Sequence, residues 1–367
     1  MVINFLYIIF FTALFIQFIY YFRYFLPLSK FTSKKINSAQ PKVSVVICAH
    51  NEEINLKKNL ESILNQKYPD FEVIVVDDRS TDKTSEIVKS VENDKINLIR
   101  IDEVEKDKSP KKNALTKGFE IAKGKFVLLT DADCKPNSDQ WITKMVEKAS
   151  SSTTIVLGYS PYQQKKGWLN KLIQFDTFFT AIQYLSFALK GEAYMGVGRN
   201  LLIRKKAFFD VNGFEGFEYV LAGDDDIIVQ KIARKDNVEI CIDEESYMIS
   251  KPETTWKNWV SQKRRHLSVG VNYKKSNIFK IGLFQQSFVW LYLTFFTFTC
   301  INEVHLSFIY SMLAIILTKN YIINLKLKKG LNVKVSLYLL PVLELLYFFT
   351  FLLVGISVLI RNKHTWL

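Results

Sequence analysis

The sequence predicts an α/β fold, with a mostly parallel sheet that helices cover on both faces, and membrane-spanning helices at both ends of the chain. Three observations support this prediction. Short apolar runs that do not alternate with polar residues are each followed by a helical pattern, which is typical of parallel strands joined by helices. Residues 2–22 carry no charge, and long uncharged segments return after Lys280. The 367 residues leave room for one soluble domain of ordinary size between the apolar ends.

The first half of the soluble part shows this alternation most clearly. Residues 41–53 contain a β-branched apolar run and then a polar break, and residues 54–66 place Leu56 and Leu60 at helical spacing. Asn51 is the predicted N-cap of this helix. The further predicted strands are 71–76, 96–102 and 125–133, and the further predicted helices begin near Thr81 or Asp82 and cover 112–124. Four strands in this order predict a sheet whose carboxyl ends share one edge.

Two carboxylates follow the fourth predicted strand. The stretch FVLLTDADC places Asp131 and Asp133 two residues apart, so in an extended strand both side chains point to the same side. In such sheets, ligands bind beyond the carboxyl ends of the strands. Two close carboxylates repel each other unless a cation lies between them, and Mg²⁺ or Mn²⁺ combines such ligands with phosphate oxygens and water. The pair therefore predicts a diphosphate–metal site, although so short a motif is also typical of a solvated acidic turn.

Residues 2–22 are predicted to anchor the chain in a membrane. At about 1.5 Å per residue they are long enough to cross a hydrocarbon core of about 30 Å. Basic residues follow the segment and a small-residue cleavage site does not, which is typical of a signal anchor. Arg23, Lys30, Lys34 and Lys35 then place the following domain in the cytoplasm under the positive-inside rule. We expect an integral protein of the plasma or inner membrane with a cytoplasmic domain.

The predicted organisation has five parts. They are a transmembrane anchor at 1–26, a linker at 27–41, a cytoplasmic domain at 42–275, a C-terminal membrane region of about three helices at 278–360, and a tail at 361–367. The apolar segments of the membrane region are 281–302, 304–318 and 335–360, with a basic loop at 325–330. The middle segment is short for a span, which is compatible with a tilted, half-inserted or hairpin-forming helix.

Two segments combine apolar and basic residues. Residues 165–191 and 254–270 are candidate interfacial helices, although a core helix is the alternative for the first. Lys257 and Lys263 suit a lipid-facing basic fringe or plain solvation.

The chain has 49 Lys and Arg against 36 Asp and Glu, an excess that suits anionic lipid or phosphate. Because many of the bases flank apolar stretches, lipid is preferred to nucleic acid as a partner.

The cysteines disfavour two classes of site. The four cysteines are Cys48, Cys134, Cys241 and Cys300, and they form no CxxC pair. A zinc site or a disulfide framework is therefore not expected, and a reducing compartment fits.

Five motifs occur in one order along the soluble part. They are VSVVICAHNEE, FEVIVVDDRSTDKT, LLTDADC, LAGDDDIIVQKI and QKRRH. Together they resemble the motifs of an inverting family 2 glycosyltransferase of the GT-A fold, the family of cellulose and hyaluronan synthases and many lipid-directed sugar transferases. The resemblance covers about residues 42–270. It implies a membrane-bound enzyme, with Mg²⁺ or Mn²⁺ as cofactor, that transfers a sugar from a nucleotide-diphosphate donor, a UDP-sugar by family habit, to a lipid, lipid-linked or polysaccharide acceptor.

The resemblance assigns donor-binding roles residue by residue. Ala49, His50 and Glu52 are expected to line the base and ribose, Asp78 to contact the pyrimidine, Lys111 to lie near the phosphates, Asp131 to meet the donor sugar or ribose, and Asp133 with Asp131 to hold the metal. For His50, an ordinary loop histidine is the alternative. Lys112 is a candidate substitute for Lys111, and either lysine is equally compatible with solvation. Asp77 is interpreted as a residue that orients its turn.

The stretch GDDDII matches the acidic pair that the family places at the start of a helix. Asp225 takes the position of the general base, with Asp224 in place of the usual Glu. The acceptor hydroxyl loses its proton as it attacks the anomeric carbon opposite the departing diphosphate, and one carboxylate within hydrogen-bond reach is sufficient. The metal neutralises charge on the leaving group. Asp224 and Asp226 are interpreted as acids that favour the helix dipole.

The acceptor side departs from the family pattern. Processive synthases carry QxxRW, and here Gln262 and Arg265 match, but His266 stands where the Trp is expected. Gln262 and Arg265 are therefore expected to reach the donor diphosphate, while the acceptor platform differs. Residues 193–209 resemble the glycine-containing strand beneath the acceptor pocket. The candidate acceptor-side residues are Gly196, Arg199, Asp224 and His266, with Arg199 contacting either diphosphate or the membrane face.

Several functions remain as alternatives. The missing Trp favours transfer of one sugar to a lipid or lipid-linked acceptor over a processive polysaccharide synthase. A nucleotidyl- or phosphotransferase is disfavoured because no Walker glycine loop occurs. A non-catalytic sugar-nucleotide-binding membrane subunit is disfavoured by the intact Asp131, Asp133 and Asp225.

Overall fold

The computed structural model describes residues 2–33, 35–36, 39–105, 107–301, 304–331 and 337–360. The predicted tail at 361–367 lies outside the described residues.

The chain forms two compact units. The first, which we call the sheet unit, contains Thr32–Gln164 and Phe187–Glu253. The second, the helical unit, contains the chain up to Phe31, Lys165–Ser186 and the described chain from Thr254 onwards. This division differs from the predicted domain at 42–275, because two stretches within that range belong with the apolar helices.

The sheet unit is built on a mostly parallel sheet of seven strands. The strands of the chain are β1 (Val43–Ala49), β2 (Phe71–Asp78), β3 (Ile96–Ile101), β4 (Phe126–Asp131), β5 (Lys135–Pro136), β6 (Ile155–Gly158), β7 (Leu201–Arg204), β8 (Val238–Cys241) and β9 (Met248–Ile249). The order in the large sheet is β3-β2-β1-β4-β7-β6-β8, with β7 antiparallel to both of its neighbours, while β5 and β9 pair separately. The predicted α/β fold is confirmed.

The α-helices occur in both units and are numbered in chain order. They are α1 (Val2–Tyr20), α2 (Leu26–Ser29), α3 (Glu53–Leu64), α4 (Thr84–Lys89), α5 (Pro110–Ile121), α6 (Trp141–Val146), α7 (Trp168–Leu189), α8 (Lys205–Asp210), α9 (Asp224–Ile232), α10 (Trp256–Ser268), α11 (Lys275–Thr299), α12 (Leu306–Gly330) and α13 (Leu340–Ile360). A π-helical turn at Tyr21–Phe25 joins α1 to α2.

Burial on both faces explains why the strand sequences do not alternate. Val45 of β1 lies in one apolar core with Leu60 of α3 and Trp141 of α6. Side chains alternate along a strand, so Val46 points to the opposite face. There α5 packs closely on β1 at Gly118, where an added Cβ would lie 2.5 Å from Val46 Cγ1. Helices therefore cover both faces of the sheet, and loops follow the carboxyl ends of its strands.

The helical unit contains the apolar helices. Among the described residues, Ile3–Ser29, Lys275–Thr299 and Leu340–Val358 are long and apolar enough to cross a membrane, and Leu306–Thr318 is a shorter apolar helix. The N-terminal helical segment continues to Ser29, and thus into the predicted linker at 27–41. The predicted basic loop at 325–330 is wrong, because these residues continue α12 to Gly330.

The predicted helices at 165–191 and 254–270 are present as α7 and α10. Lys263 of α10 forms an ion pair with the buried carboxylate of Asp176 on α7. Arg264 Nε donates a hydrogen bond of 2.8 Å to Ser357 Oγ on α13. Lys263 therefore holds two helices of this unit together, and its interpretation as part of a lipid-facing fringe is wrong.

Candidate active site

The carboxyl ends of β1, β2 and β4 lie side by side at one edge of the sheet. In the strand register Ala49 is opposite Asp77, and Cys48 is opposite Asp131. The polar residues that follow these three strands are therefore neighbours in space, as the parallel arrangement predicts.

Asp131 and Asp133 converge through a turn rather than through the pleat of a strand. β4 ends at Asp131, and the chain turns at residues 132–133. One oxygen of each carboxylate and the Sγ of Cys134 all lie within 4.8 Å of one another. The buried Cys134 thiol donates to Asp133 Oδ1 at 3.2 Å. Burial and the charges of Asp133 and Asp131 raise the pKa of this thiol well above its usual value, so the two carboxylates are the anionic groups of the cluster.

Lys111 links this acidic pair to the start of α9. Its Nζ lies 2.9 Å from Asp131 Oδ1 and 3.6 Å from Asp224 Oδ2. Burial by itself lowers the pKa of Lys111, but the charges of Asp131, Asp224 and Asp225 outweigh it and hold this pKa well above its usual value. The structure thus brings the predicted phosphate-side lysine together with a predicted metal ligand and with the neighbour of the predicted base.

Lys112 has different partners. It donates hydrogen bonds to the main-chain carbonyls of Val220 and Ala222, the second at 3.0 Å, and it is buried. Successive side chains on a helix point about 100° apart, so the two adjacent lysines of α5 contact different groups. The interpretation of Lys112 as a substitute for Lys111 at the phosphates is wrong.

Asp225 lies in the first turn of α9. Its Oδ2 accepts a hydrogen bond of 2.8 Å from the N–H of Gly198, and its Oδ1 accepts one of 3.0 Å from the N–H of Asp226. Burial and the negative charge of Asp224 raise the pKa of Asp225 to about 6. A carboxylate with this pKa is ionised at neutral pH and accepts a proton more readily than an ordinary aspartate, which suits a general base.

Asp224 and Asp226 are buried, with 8% and 7% of their surface exposed. Solvated acids at a helix start would be open to water, so the helix dipole alone does not account for these two residues. Asp224 faces Lys111 and acts electrostatically on Asp225. It belongs to the charge cluster at the sheet edge.

His50 and Asp78, two of the predicted base-binding residues, are joined across the loops after β1 and β2. His50 is exposed, and its Nδ1 lies 2.6 Å from the main-chain oxygen of Asp78. A carbonyl only accepts, so Nδ1 carries the proton in this pairing. The Asp78 carboxylate is buried and accepts two hydrogen bonds from Arg79, from Nε at 2.8 Å and from Nη2 at 3.2 Å. Ala49 is also buried, so it offers a ligand chiefly its main chain.

Asn51 connects the two loops and is not the N-cap of α3, which is Glu52. Asn51 has a φ of 56°, and its Oδ1 accepts a hydrogen bond of 2.8 Å from the N–H of Thr81. The fully buried Asp77 holds the same turn through a hydrogen bond of 3.1 Å from the N–H of Ser80. Asparagine tolerates the left-handed region, which explains its use here.

Glu52 lies within the electrostatic reach of the acidic pair. It accepts a hydrogen bond of 2.6 Å from Asn55 Nδ2. Burial raises the pKa of Glu52, and the charges of Asp133 and Asp131 act in the same direction. Its predicted place beside the nucleotide is therefore near that of the predicted metal ligands.

The Cα hydrogens of Gly196 lie against apolar side chains. An added Cβ there would lie 3.2 Å from side-chain atoms of both Leu157 and Val229, which belong to the interior. Gly198 is instead the glycine at the carboxylates, since its added Cβ would lie 3.4 Å from Asp225 Oδ2. The role of Gly196 beneath the acceptor pocket stays a prediction.

Arg199 is held inside the sheet unit. Its Nε donates to Ser160 Oγ at 2.7 Å, its Nη1 donates to Tyr162 Oη at 3.1 Å, and its Cζ lies 4.5 Å from the centre of the Tyr162 ring. Burial and the charge of Asp131 raise the pKa of Asp133, and the positive charge of Arg199 acts in the opposite direction. These contacts contradict the interpretation that Arg199 faces the membrane.

The QxxR residues belong to the helical unit. Gln262, Arg265 and His266 occur at positions i, i+3 and i+4 of α10, which places them on one face of that helix. Gln262 and Arg265 are half-buried, and His266 is exposed.

Sequence reasoning missed Gly198, Cys134 and Arg79. Gly198 belongs to the stretch GVGRN, where the second glycine was as good a candidate as the first. Cys134 directly follows the acidic pair, and Arg79 directly follows Asp78. Adjacency to a site residue was the available signal in both of the latter cases.

Two family models match the chain. Residues 44–211 match the one described as Glycosyl transferase family 2. Residues 148–359 match the one described as Glycosyl transferase family group 2, which covers more than half of the chain and extends into the helical unit.

Similar curated proteins include two enzymes that act on undecaprenol-linked sugars. A GalNAc(5)-diNAcBac-PP-undecaprenol beta-1,3-glucosyltransferase of Campylobacter jejuni is 27% identical over 45% of this chain and 54% of its own length. A UDP-Glc:alpha-D-GlcNAc-diphosphoundecaprenol beta-1,3-glucosyltransferase of Escherichia coli is 28% identical over 35% of this chain and 48% of its own length. The chain spans about half the length of these relatives.

One solved structure resembles almost the whole chain. It is a mannosyltransferase from Pyrobaculum calidifontis, solved with GDP-Man and Mn²⁺, with a TM-score of 0.62 and 15% identity. The likeness covers 96% of this chain and 97% of that one, and it supports the GT-A fold.

Proposed function

The chain belongs to glycosyl transferase family 2, and from this premise we propose that it transfers a sugar from a nucleotide-diphosphate donor to an acceptor hydroxyl, with inversion at the anomeric carbon. The observation that carries the proposal is the position of Lys111. Its ammonium group lies between Asp131, on the predicted donor side, and Asp224, beside the predicted base Asp225. Donor-binding and proton-accepting groups thus share one edge of the sheet.

The loops after β1 and β2 are proposed to bind the nucleoside. The exposed His50 ring is available to stack on a base, and the main chain of Ala49 with the carboxylates of Glu52 and Asp78 lines the ribose and the base. The Asp78 carboxylate already accepts hydrogen bonds from Arg79, so it reaches a pyrimidine only by sharing those oxygens. Lys111 is proposed to pair with the diphosphate. The donor contacts that the family resemblance assigns to Gln262 and Arg265 stay a prediction.

A divalent cation fits the acidic pair. The carboxylates of Asp131 and Asp133 approach each other closely, and two carboxylates suit Mg²⁺ or Mn²⁺, which complete their shells with phosphate oxygens and water. The protonated thiol of Cys134 does not suit a hard cation. When bound, the cation neutralises charge that develops on the departing diphosphate.

Asp225 is proposed to accept the proton of the acceptor hydroxyl. The acceptor oxygen forms the new bond to the anomeric carbon while the bond from that carbon to the diphosphate oxygen breaks, and the hydroxyl proton moves to a carboxylate oxygen of Asp225. The N–H groups of Gly198 and Asp226 keep that carboxylate in one orientation. A single carboxylate suffices, since no glycosyl–enzyme intermediate is formed.

The acceptor is proposed to be a lipid or a lipid-linked sugar. Two observations support this: the apolar helices would place the chain at a membrane, and the similar proteins from Campylobacter jejuni and Escherichia coli are named for undecaprenol-linked acceptors. His266 in place of the Trp of processive synthases favours transfer of one sugar over polymer extrusion. The basic residues after α1 favour a cytoplasmic sheet unit. A UDP-sugar donor is proposed from the habit of the family.

Mass spectrometry of lipid extracts tests the proposal. Extracts of cells that produce the full chain are compared with extracts of cells that produce Asp225→Asn and Asp210→Asn, the latter changing an exposed acid on α8. We expect one lipid to gain the mass of one sugar residue with the wild type and with Asp210→Asn, and not with Asp225→Asn. A ladder of masses would indicate a processive synthase. No mass difference on any lipid, with nucleotide binding intact, would favour a non-catalytic subunit.

A further inference from the structure

The first turn of α5 holds the segment that precedes the proposed base. Ser109, the residue before α5, donates from its N–H to the carbonyl of Glu218 at 2.7 Å, and from its hydroxyl to the carbonyl of Leu221 at 3.4 Å. Lys112 donates to the carbonyls of Val220 and Ala222. Ser109 and Lys112 together therefore donate hydrogen bonds to the main-chain carbonyls of residues 218, 220, 221 and 222.

Burial of the charged Lys112 side chain is unfavourable in free energy by itself. Only 2% of its surface is exposed, and burial lowers the pKa of its ammonium group, with the charges of Asp224 and Asp225 opposing that change. Burying a charged group is unfavourable unless hydrogen bonds and opposite charges compensate for it. The two carbonyls, the Phe214 ring at 5.9 Å and the two aspartates provide this compensation.

The bound segment leads directly into α9. Ala222 is followed by Gly223, which has a φ of 69° and directly precedes Asp224. The hydrogen bond from Lys112 to Ala222 therefore acts two residues before the first turn of α9, which carries Asp225. A displacement of about 1 Å in a reacting group is enough to slow a reaction by about 100-fold.

We propose that Lys112 is a positioning residue for Asp225, acting through the carbonyls of Val220 and Ala222. The inference rests on the proposed function. The two adjacent lysines then have different roles: Lys111 contacts the donor, and Lys112 keeps Asp225 in position. Because Lys112 contacts the segment and not the acidic pair, its loss affects the transfer step and leaves donor binding in place.

Three variants of the full chain test this inference. Lys112→Met keeps the length of the side chain and removes the donors and the charge, whereas Lys112→Arg keeps both. Lys117→Met is the matched control, since Lys117 lies on the same helix and pairs with Glu120 at the surface. The measurements are kcat, the Kd for UDP with Mn²⁺, and hydrogen–deuterium exchange of the peptide that contains residues 218–226.

We expect Lys112→Met to lower kcat by about 10- to 100-fold with a Kd within about twofold of wild type, and to speed exchange across 218–226. Lys112→Arg recovers part of kcat, and Lys117→Met matches wild type. Asp224, Lys111 and Lys112 act electrostatically on Asp225, so loss of the Lys112 charge also moves the acidic limb of the pH–rate profile to higher pH. This shift reports the loss of the Lys112 charge, whereas the exchange across 218–226 reports the hold of Lys112 on the segment.

The outcomes separate this inference from the proposed function. Unchanged exchange across 218–226 in Lys112→Met overturns the positioning role whether or not the wild type turns over a donor. A parallel loss of kcat and of UDP binding also overturns it. A wild type that transfers no sugar from any donor overturns the proposed function, while faster exchange in Lys112→Met would still support the hold of Lys112 on this segment.

Discussion

Lys111 Nζ lies 2.9 Å from Asp131 Oδ1, and this ion pair joins helix α5 to the end of strand β4. The same ammonium group lies 3.6 Å from Asp224 Oδ2 at the start of α9. One cation therefore neutralises carboxylates from two elements that are distant in sequence. Its position predicts that donor binding and the strength of the proposed base both depend on Lys111.

Replacing Lys111 by Met is expected to weaken donor binding. Hydrogen bonds to charged groups contribute about 1.5–3 kcal/mol, so the Kd for UDP with Mn²⁺ should rise by about 10- to 100-fold. Isothermal titration calorimetry on the full chain measures this change, with Lys117→Met as the control for loss of a surface charge on α5. Equal affinity in both variants would show that Lys111 does not meet the diphosphate.

The activity is expected to fall on the acidic side of neutrality. The proposed base must be ionised, and burial with the charge of Asp224 raises the pKa of Asp225 to about 6, so kcat/KM should decline as the pH falls through about 6. In Asp224→Asn the like charge is gone, the pKa of Asp225 falls, and the acidic limb should move to lower pH. If the acidic limb of Asp224→Asn stays at the wild-type pH or moves to higher pH, the charge of Asp224 is not the cause of the raised pKa.

Gly198→Ala and Gly198→Pro are expected to have very different kcat values. Its N–H donates to Asp225 Oδ2, and an added Cβ would meet that carboxylate at an ordinary contact distance of 3.4 Å. Gly198→Ala keeps the donor and should stay within about threefold of the wild-type kcat, whereas Gly198→Pro removes the N–H and should lose most of it. Circular dichroism and UDP binding serve as checks that both variants fold. Similar activities would mean that this hydrogen bond does not orient the base.

Activity is expected to require a divalent cation held by Asp131 and Asp133 and not by Cys134. Chelation should abolish transfer, and Mn²⁺ or Mg²⁺ should restore it to the wild type and to Cys134→Ser alike, because hard cations prefer oxygen ligands. Asp133→Asn should raise the Mn²⁺ concentration needed for half-maximal UDP binding by at least about 10-fold. If Mn²⁺ and Mg²⁺ restore transfer to the wild type but not to Cys134→Ser, the thiol is a ligand instead.

Much of the sheet edge could be predicted because it follows from local patterns. Buried strands without alternation, each followed by a helix, bring residues after β1, β2 and β4 to one edge whatever the details of the loops. The convergence of Asp131 and Asp133 was predicted correctly but for the wrong reason, since the strand ends at Asp131 and a turn brings the two together.

The remaining features depend on contacts between distant segments. Lys111 and Lys112 look alike in sequence, and only the approach of residues 218–224 to α5 gives them different partners. Asn51 resembles an N-cap, but the loop after β2 supplies a better partner for its side chain. Gly196 and Gly198 differ only in which neighbours surround them.

The most direct measurement is the turnover of Asp225→Asn beside its affinity for the donor nucleotide. Purified full-length chains are supplied with Mn²⁺, labelled UDP-sugars and a lipid extract as acceptor source, with Asp210→Asn as the control. We expect Asp225→Asn to bind UDP within about threefold of wild type and to lose at least about 100-fold in kcat, because general-base catalysis contributes at least that factor. Wild-type turnover in Asp225→Asn, or loss of UDP binding equal to the loss of turnover, would contradict the assignment of Asp225 as the base.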